Sequence, residues 1–181
     1  MNARVTAAVL LLVGSAAAGC SQSGPDAASA PADRLVWVSG RDDHGMVAEG
    51  SVPVYDAVEG HHVQGRVPDG TLARVLATDG QWLRVRTAEG RRRVTGWVDD
   101  FFLRGEVRLV GPAPSCRASL AGQRRAGGTL VVVHDLRRGR ARVETVAEPT
   151  TTGWVDRSRL QELPPQGKDC GGIPPDDRHA H

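Results

Sequence analysis

Lysine is almost missing from this chain of 181 residues: Lys168 is the single one, and arginine carries the rest of the positive charge. Such a bias reads first as genome composition and only then as function. The formal net charge is +2, which argues against a nucleic-acid binder, because phosphate binding needs a concentrated positive surface. Aromatic residues make up 4% of the chain, so each tryptophan supplies much of the apolar area around it. The chain also lacks a convincing catalytic set, whether nucleophile with base, paired acid and base, or metal-ligand cluster, so no enzyme activity and no cofactor are expected. His61-His62 and the terminal His179 and His181 do not make a metal site, since adjacent strand residues point to opposite faces.

No apolar run is long enough to cross a bilayer as a mature helix. The longest opens the chain: Arg4, then Val5-Thr6-Ala7-Ala8-Val9-Leu10-Leu11-Leu12-Val13, then the small residues Ala16-Ala17-Ala18-Gly19. A charged start, a short apolar middle and a small-residue exit predict a secretory signal over residues 1–19. Cys20 follows directly, and the arrangement resembles the lipobox of bacterial lipoproteins. That resemblance implies lipidation of Cys20, removal of the signal before it, and residence at the cell membrane on its extracytoplasmic face. Two or more acyl tails are the number a stable anchor requires. Residues 21–34 are rich in Ser, Ala, Pro, Gly and Asp without apolar periodicity, and read as a tether that reaches about 20 Å as a flexible coil.

From residue 35 onward the chain is punctuated by turns. Leu35-Val36-Trp37-Val38 is a short apolar strand, and Val52-Pro53-Val54-Tyr55 opens a first unit, with residues 56–64 as its long loop. Asp79-Gly80 joins two period-2 strands into a hairpin. Glu89-Gly90 marks the next turn, decorated by Arg91, Arg92 and Arg93, and residues 94–98 form a third strand before Asp99-Asp100-Phe101-Phe102-Leu103, a single tight helical turn. Gly70 with Leu72, Asp79-Gly80, Trp82 with Val85, Gly90, Gly96-Trp97-Val98 and Phe102-Leu103 resemble the bacterial SH3-like domain. The chain differs from that family in the longer distal turn at Arg91-Arg92-Arg93-Val94 and in its first loop. The resemblance implies a small antiparallel barrel that binds peptidoglycan or peptides.

The pattern recurs. Gly128-Thr129-Leu130-Val131 matches Gly70-Thr71-Leu72-Ala73, residues 140–145 match 82–87, and Thr152-Gly153-Trp154-Val155-Asp156 matches Thr95-Gly96-Trp97-Val98-Asp99. Shared register at three points predicts a repeat. The expected fold is therefore all-β: a barrel over 35–105, a divergent second barrel over 106–163, and a mobile tail over 164–181. The second copy has Arg140 for Trp82 and Ala141 for Leu83, which predicts a lighter core.

Cys116 and Cys170 remain as an even pair in an oxidising compartment and are expected to form a disulfide. Cys116 with His134 would otherwise suggest a thiol hydrolase dyad of the kind fused to SH3-like modules, but such catalytic domains exceed a hundred residues and none is present here. Leu83 and Val85 should face the core, with Trp82, Arg84 and Arg86 on the other face. Together with Arg91, Arg92 and Arg93 these make the candidate ligand face, a cationic surface beside an indole that suits acidic wall polymers. Arg137, Arg138, Arg140 and Arg142 are expected to form an equivalent face on the second copy, and Trp97 and Trp154 are expected in the cores. The expected function is a non-catalytic, membrane-anchored binding module for peptidoglycan or wall peptides. The alternative is an adaptor that holds another exported protein at the membrane.

Overall fold

The structure is a computed structural model, and it describes residues 34–42, 44–165 and 170. The expected signal over 1–19, the lipid-bearing Cys20, nearly all of the tether, His179, His181 and most of the tail lie outside the described residues.

The fold is all-β and antiparallel. Seven strands fill the first half: β1 (Leu35–Val38), β2 (Ser51–Tyr55), β3 (Val63–Pro68), β4 (Leu72–Asp79), β5 (Trp82–Thr87), β6 (Thr95–Asp99) and β7 (Leu103–Arg104). Seven more fill the second: β8 (Glu106–Leu109), β9 (Ala118–Leu120), β10 (Gln123–Arg125), β11 (Thr129–Arg137), β12 (Arg140–Thr145), β13 (Thr152–Asp156) and β14 (Leu160–Gln161). The two halves pair alike. β1 lies between β4 and β7, as β8 lies between β11 and β14, and the hairpins β4–β5 and β11–β12 run on into β6 and β13. Each hairpin carries a bulge, between Val75 and Ala77 and between Val133 and Asp135. Positive φ values recur at Gly70 (84°) and Gly128 (83°), where a side chain would be strained.

The ends of β6 and β13 show why the same short motif folds twice. Asp99 accepts from the Phe101 N–H and Asp156 from the Ser158 N–H, capping 3-10 turns over Asp100–Phe102 and Arg157–Arg159. An aspartate suits this place because its carboxylate satisfies a turn donor that no strand partner can reach.

The strands form one twelve-stranded sheet and a separate β9–β10 hairpin. The long path runs β13-β12-β11-β1-β4-β5-β6-β2-β3, and its ends do not meet. The expected all-β, antiparallel fold is present, as one continuous sheet that is not a closed barrel. The cause is β1, which pairs with β4 and also with β11, through Leu35 and Val133, and so joins the halves into one sheet.

All four residues of β1 are buried, as befits a strand covered on both faces. Val36 and Val38 enter a core with Val52, Val54, Val67, Val85 and Val98. Leu35 and Trp37 turn the other way, into a core with Leu109, Leu120, Val131, Val143 and Val155. The expected light core of the second half is therefore filled from the first, by Leu35, Trp37 and Leu72 around the small Ala141.

Trp97 and Trp154 are a correction to what was expected. Both are half-buried and outside the cores, because Gly96, Val98 and Val155 hold the inward positions of β6 and β13. A side chain at Gly96 would run into the Tyr55 carbonyl, and one at Gly153 would stand 2.7 Å from Leu120 Cδ1. Glycine at these places lets the neighbouring hairpin close over the strand.

Candidate functional site

β3 ends the sheet path, so one of its backbone edges has no strand partner among the described residues. Facing β3 is the turn between β5 and β6, where Val94 packs against Gly65: a side chain there would stand 3.1 Å from Val94 Cγ1. The open groove between them has a volume of about 830 Å³. Pro68 and Val94 give it apolar surface, Arg66, Arg91, Arg92 and Arg93 give it positive charge, and His62 stands at its edge.

These cations are not equally available. The Arg66 guanidinium donates to Glu49 and to Ser51, and Arg93 Nη1 donates to the Thr87 carbonyl at 2.8 Å. Such bonds hold the two arginines in place over the groove. Arg91 and Arg92 are exposed, and neither bonds to a described residue through its side chain. The groove's carboxylate, Glu89, is already engaged: it accepts from the Leu72 N–H at 2.7 Å and from Arg157 at 2.8 and 3.2 Å. The local balance is thus positive, and a guanidinium without a partner is suited to a bidentate contact with carboxylate or phosphate.

The expected ligand face divides. Arg91, Arg92 and Arg93 line the groove, whereas Trp82 and Arg84 do not. Trp82 sits at the start of β5 opposite Asp99, half-buried, and meets Tyr55 edge-on with ring centroids 5.7 Å apart. Its indole N–H is buried without an acceptor among the described residues. Arg84 and Arg86 are exposed on β5, beside Trp97 and Thr95 of β6. Alternation explains the shared parity of Trp82, Arg84 and Arg86, while the length of β5 takes Trp82 away from the Arg91 turn.

The second half does not repeat the groove's arginine turn among the described residues. Its arginines 137, 138 and 140 belong to the β11–β12 turn, which corresponds to Asp79-Gly80 rather than to Arg91-Arg92-Arg93. The turn that does correspond, residues 146–151, carries no arginine. The expectation of equivalent cationic hairpins is corrected accordingly, with Arg142 and Arg84 the matched pair.

Cys116 and Cys170 form a disulfide with Cα atoms 4.9 Å apart. The Cys116 sulfur is therefore not a free nucleophile, and His134 instead stands 3.8 Å from Glu144. Among the described residues no group of three or more His, Cys, Asp or Glu side chains is placed to hold a metal ion.

Sequence reasoning missed His62, Gln64 and Arg66 as groove residues. The signal was available in part, since Gln64, Arg66 and Pro68 alternate with Val67 on a strand whose inward residue is buried.

No protein-family model matches the chain, and no curated protein matches its sequence. Among solved structures it is similar to NlpC1 from Trichomonas vaginalis, with a TM-score of 0.33 and 12% identity over 74% of this chain and 47% of that one. It is also similar to NlpC2 from the same organism, with a TM-score of 0.34 and 11% identity over 75% of this chain and 51% of that one. The chain spans about half the length of these two structures. A likeness at this level assigns neither a fold nor an activity.

Proposed function

We propose that the chain is a non-catalytic binding protein of the bacterial envelope, held by lipid on Cys20 at the extracytoplasmic face of the membrane. In this reading its halves are two SH3-like barrels, over 35–105 and 106–163, that share β1, and its ligand is peptidoglycan or a wall peptide. The observation that carries the reading is the groove between β3 and the Arg91 turn. A free strand edge offers backbone hydrogen bonds to an extended peptide, and the arginines beside it attract carboxylates. The Cys20 lipobox and the Gly-Trp-Val repeats supply the remainder, as resemblances.

Co-sedimentation with purified peptidoglycan sacculi tests this. Saturable binding that is lost in Arg91→Glu, Arg92→Glu, retained in Trp82→Ala, Arg84→Ala, and weakened by salt is the expected result. Absence of binding at every salt concentration overturns the wall ligand and leaves the protein adaptor, to be sought by pull-down from membrane extract.

A further inference from the structure

A separate crevice, of about 230 Å³, lies between the two halves, where β4 and β5 meet β11. Leu35, Ala88 and Leu136 give it an apolar lining that belongs to the core of the second half. Arg74, Arg86 and Arg93 line it too, against a single carboxylate, Asp135.

Two of these cations stand where a sheet disfavours them. Arg74 and Arg86 are register partners across β4 and β5. Their Cβ atoms are therefore about 5 Å apart on one face, and like charges placed directly opposite destabilise a sheet. The corresponding pair of the second half is Val132 and Glu144, so the repeat itself does not demand two arginines here.

The carboxylate at hand does not balance them. Asp135 accepts from the Leu136 N–H at 2.8 Å and lies 2.7 Å from Arg137 Nε, whereas Arg74 Nη2 is 4.0 Å away. Arg93 is held by the neutral Thr87 carbonyl. Arg86 is exposed and has no ion-pair partner among the described residues. Three guanidinium groups against one carboxylate leave the lining with two positive charges in excess.

We infer that this crevice is a binding site for a phosphate-type dianion, either free phosphate or the phosphoryl group of a small monoester. Such a group carries close to two negative charges at neutral pH and several strong acceptor oxygens. It matches the charge excess, and its oxygens serve guanidinium groups arriving from β4, β5 and the β5–β6 turn together. A lone carboxylate would leave one charge unbalanced. The bound anion cancels the repulsion between Arg74 and Arg86 and sits against Asp135 and Leu136 of the other half, so its binding stabilises the junction. The site is independent of the wall ligand; Arg93 alone is common to it and the Arg91 groove.

The test follows thermal unfolding of the full chain. Inorganic phosphate should raise the midpoint saturably above that in sodium chloride of equal ionic strength. Arg86→Gln should weaken phosphate by about tenfold or more, yet keep or raise the midpoint in chloride, because it relieves the like-charge pair. Arg84→Gln removes the same charge from the same face of β5 and should leave the phosphate response intact. Asp135→Asn should tighten phosphate, since no carboxylate then competes for Arg74. Glycerol phosphate separates the sources: tighter binding than inorganic phosphate marks an esterified group, weaker binding the free ion. A phosphate response no larger than that of chloride overturns the inference. So does one that survives Arg86→Gln, or one that is lost in Arg91→Gln, Arg92→Gln instead.

Discussion

Arg157 does more at the level of single residues than its exposed neighbours in the same turn. Its guanidinium lies 4.5 Å from the Trp37 ring centroid, pairs with Glu89 through two nitrogens, and donates to the Gly70 carbonyl. One side chain of the second half thus ties three places in the first. Arg157→Ala should cost about 2–3 kcal/mol, because it leaves the half-buried Glu89 carboxylate without its cation and removes the cation–π contact; urea unfolding measures it. Gly96→Ala should cost about 2 kcal/mol or more for a steric reason, since its methyl would meet the Tyr55 carbonyl and Val54 Cγ1. Asp156 gives the pH dependence. The Ser158 hydroxyl, then the Ser158 N–H, and then Arg159 and Arg140 hold its carboxyl below the usual aspartate value. A carboxyl depressed in the folded state stabilises above the ordinary aspartate range, and the contribution is lost as pH falls through the depressed value. Ser158→Ala should raise the Asp156 midpoint in a carboxyl NMR titration; an unmoved midpoint would show that the hydroxyl is not the main cause.

Among the elements, β1 has the largest reach for its length. Its four residues serve two cores by parity alone, so Trp37→Ala should destabilise the molecule by about 3–5 kcal/mol through the core of the other half, whereas Val36→Ala empties its own. Hydrogen exchange can separate the two, with protection lost first around Val131 and Val143 in the former and around Val85 and Val98 in the latter. How much of this was legible in the sequence differs from strand to strand. Asp79-Gly80 located the β4–β5 turn, because its geometry is set by neighbours in sequence. The double role of β1 was not legible, since Leu-Val-Trp-Val has no polar residue to show which face is covered, and its second partner, β11, is nearly a hundred residues away. The outward placement of Trp97 and Trp154 was legible and was missed: parity with Val98 and Val155 puts each indole on the opposite face, and apolar character outweighed it. Arg91, Arg92 and Arg93 were recognisable as a turn, but the β3 edge that makes a groove of them depends on a strand ending the sheet, which no local pattern records.

At the scale of the whole molecule, the sharing of β1 and the Arg157 contacts predict one unfolding transition rather than two. Calorimetry should give equal van't Hoff and calorimetric enthalpies, and Val143→Ala should lower the midpoint followed by probes in either half. Opening the Cys116–Cys170 disulfide, which closes a loop 54 residues long, should cost up to about 4 kcal/mol in the chain-entropy description. Cys116→Ser, Cys170→Ser would show this as a lower denaturant midpoint. β1 also dictates an order of events. When the chain emerges from its N-terminus, as in synthesis, Leu35, Trp37 and Leu72 appear long before Val133 and Arg157 can cover them. For that interval the leading half presents a sticky flank to whatever lies nearby, and only the last third of the chain removes it. Folding that depends on so distant a partner is slow, and the leading half keeps this apolar flank uncovered until β11 arrives.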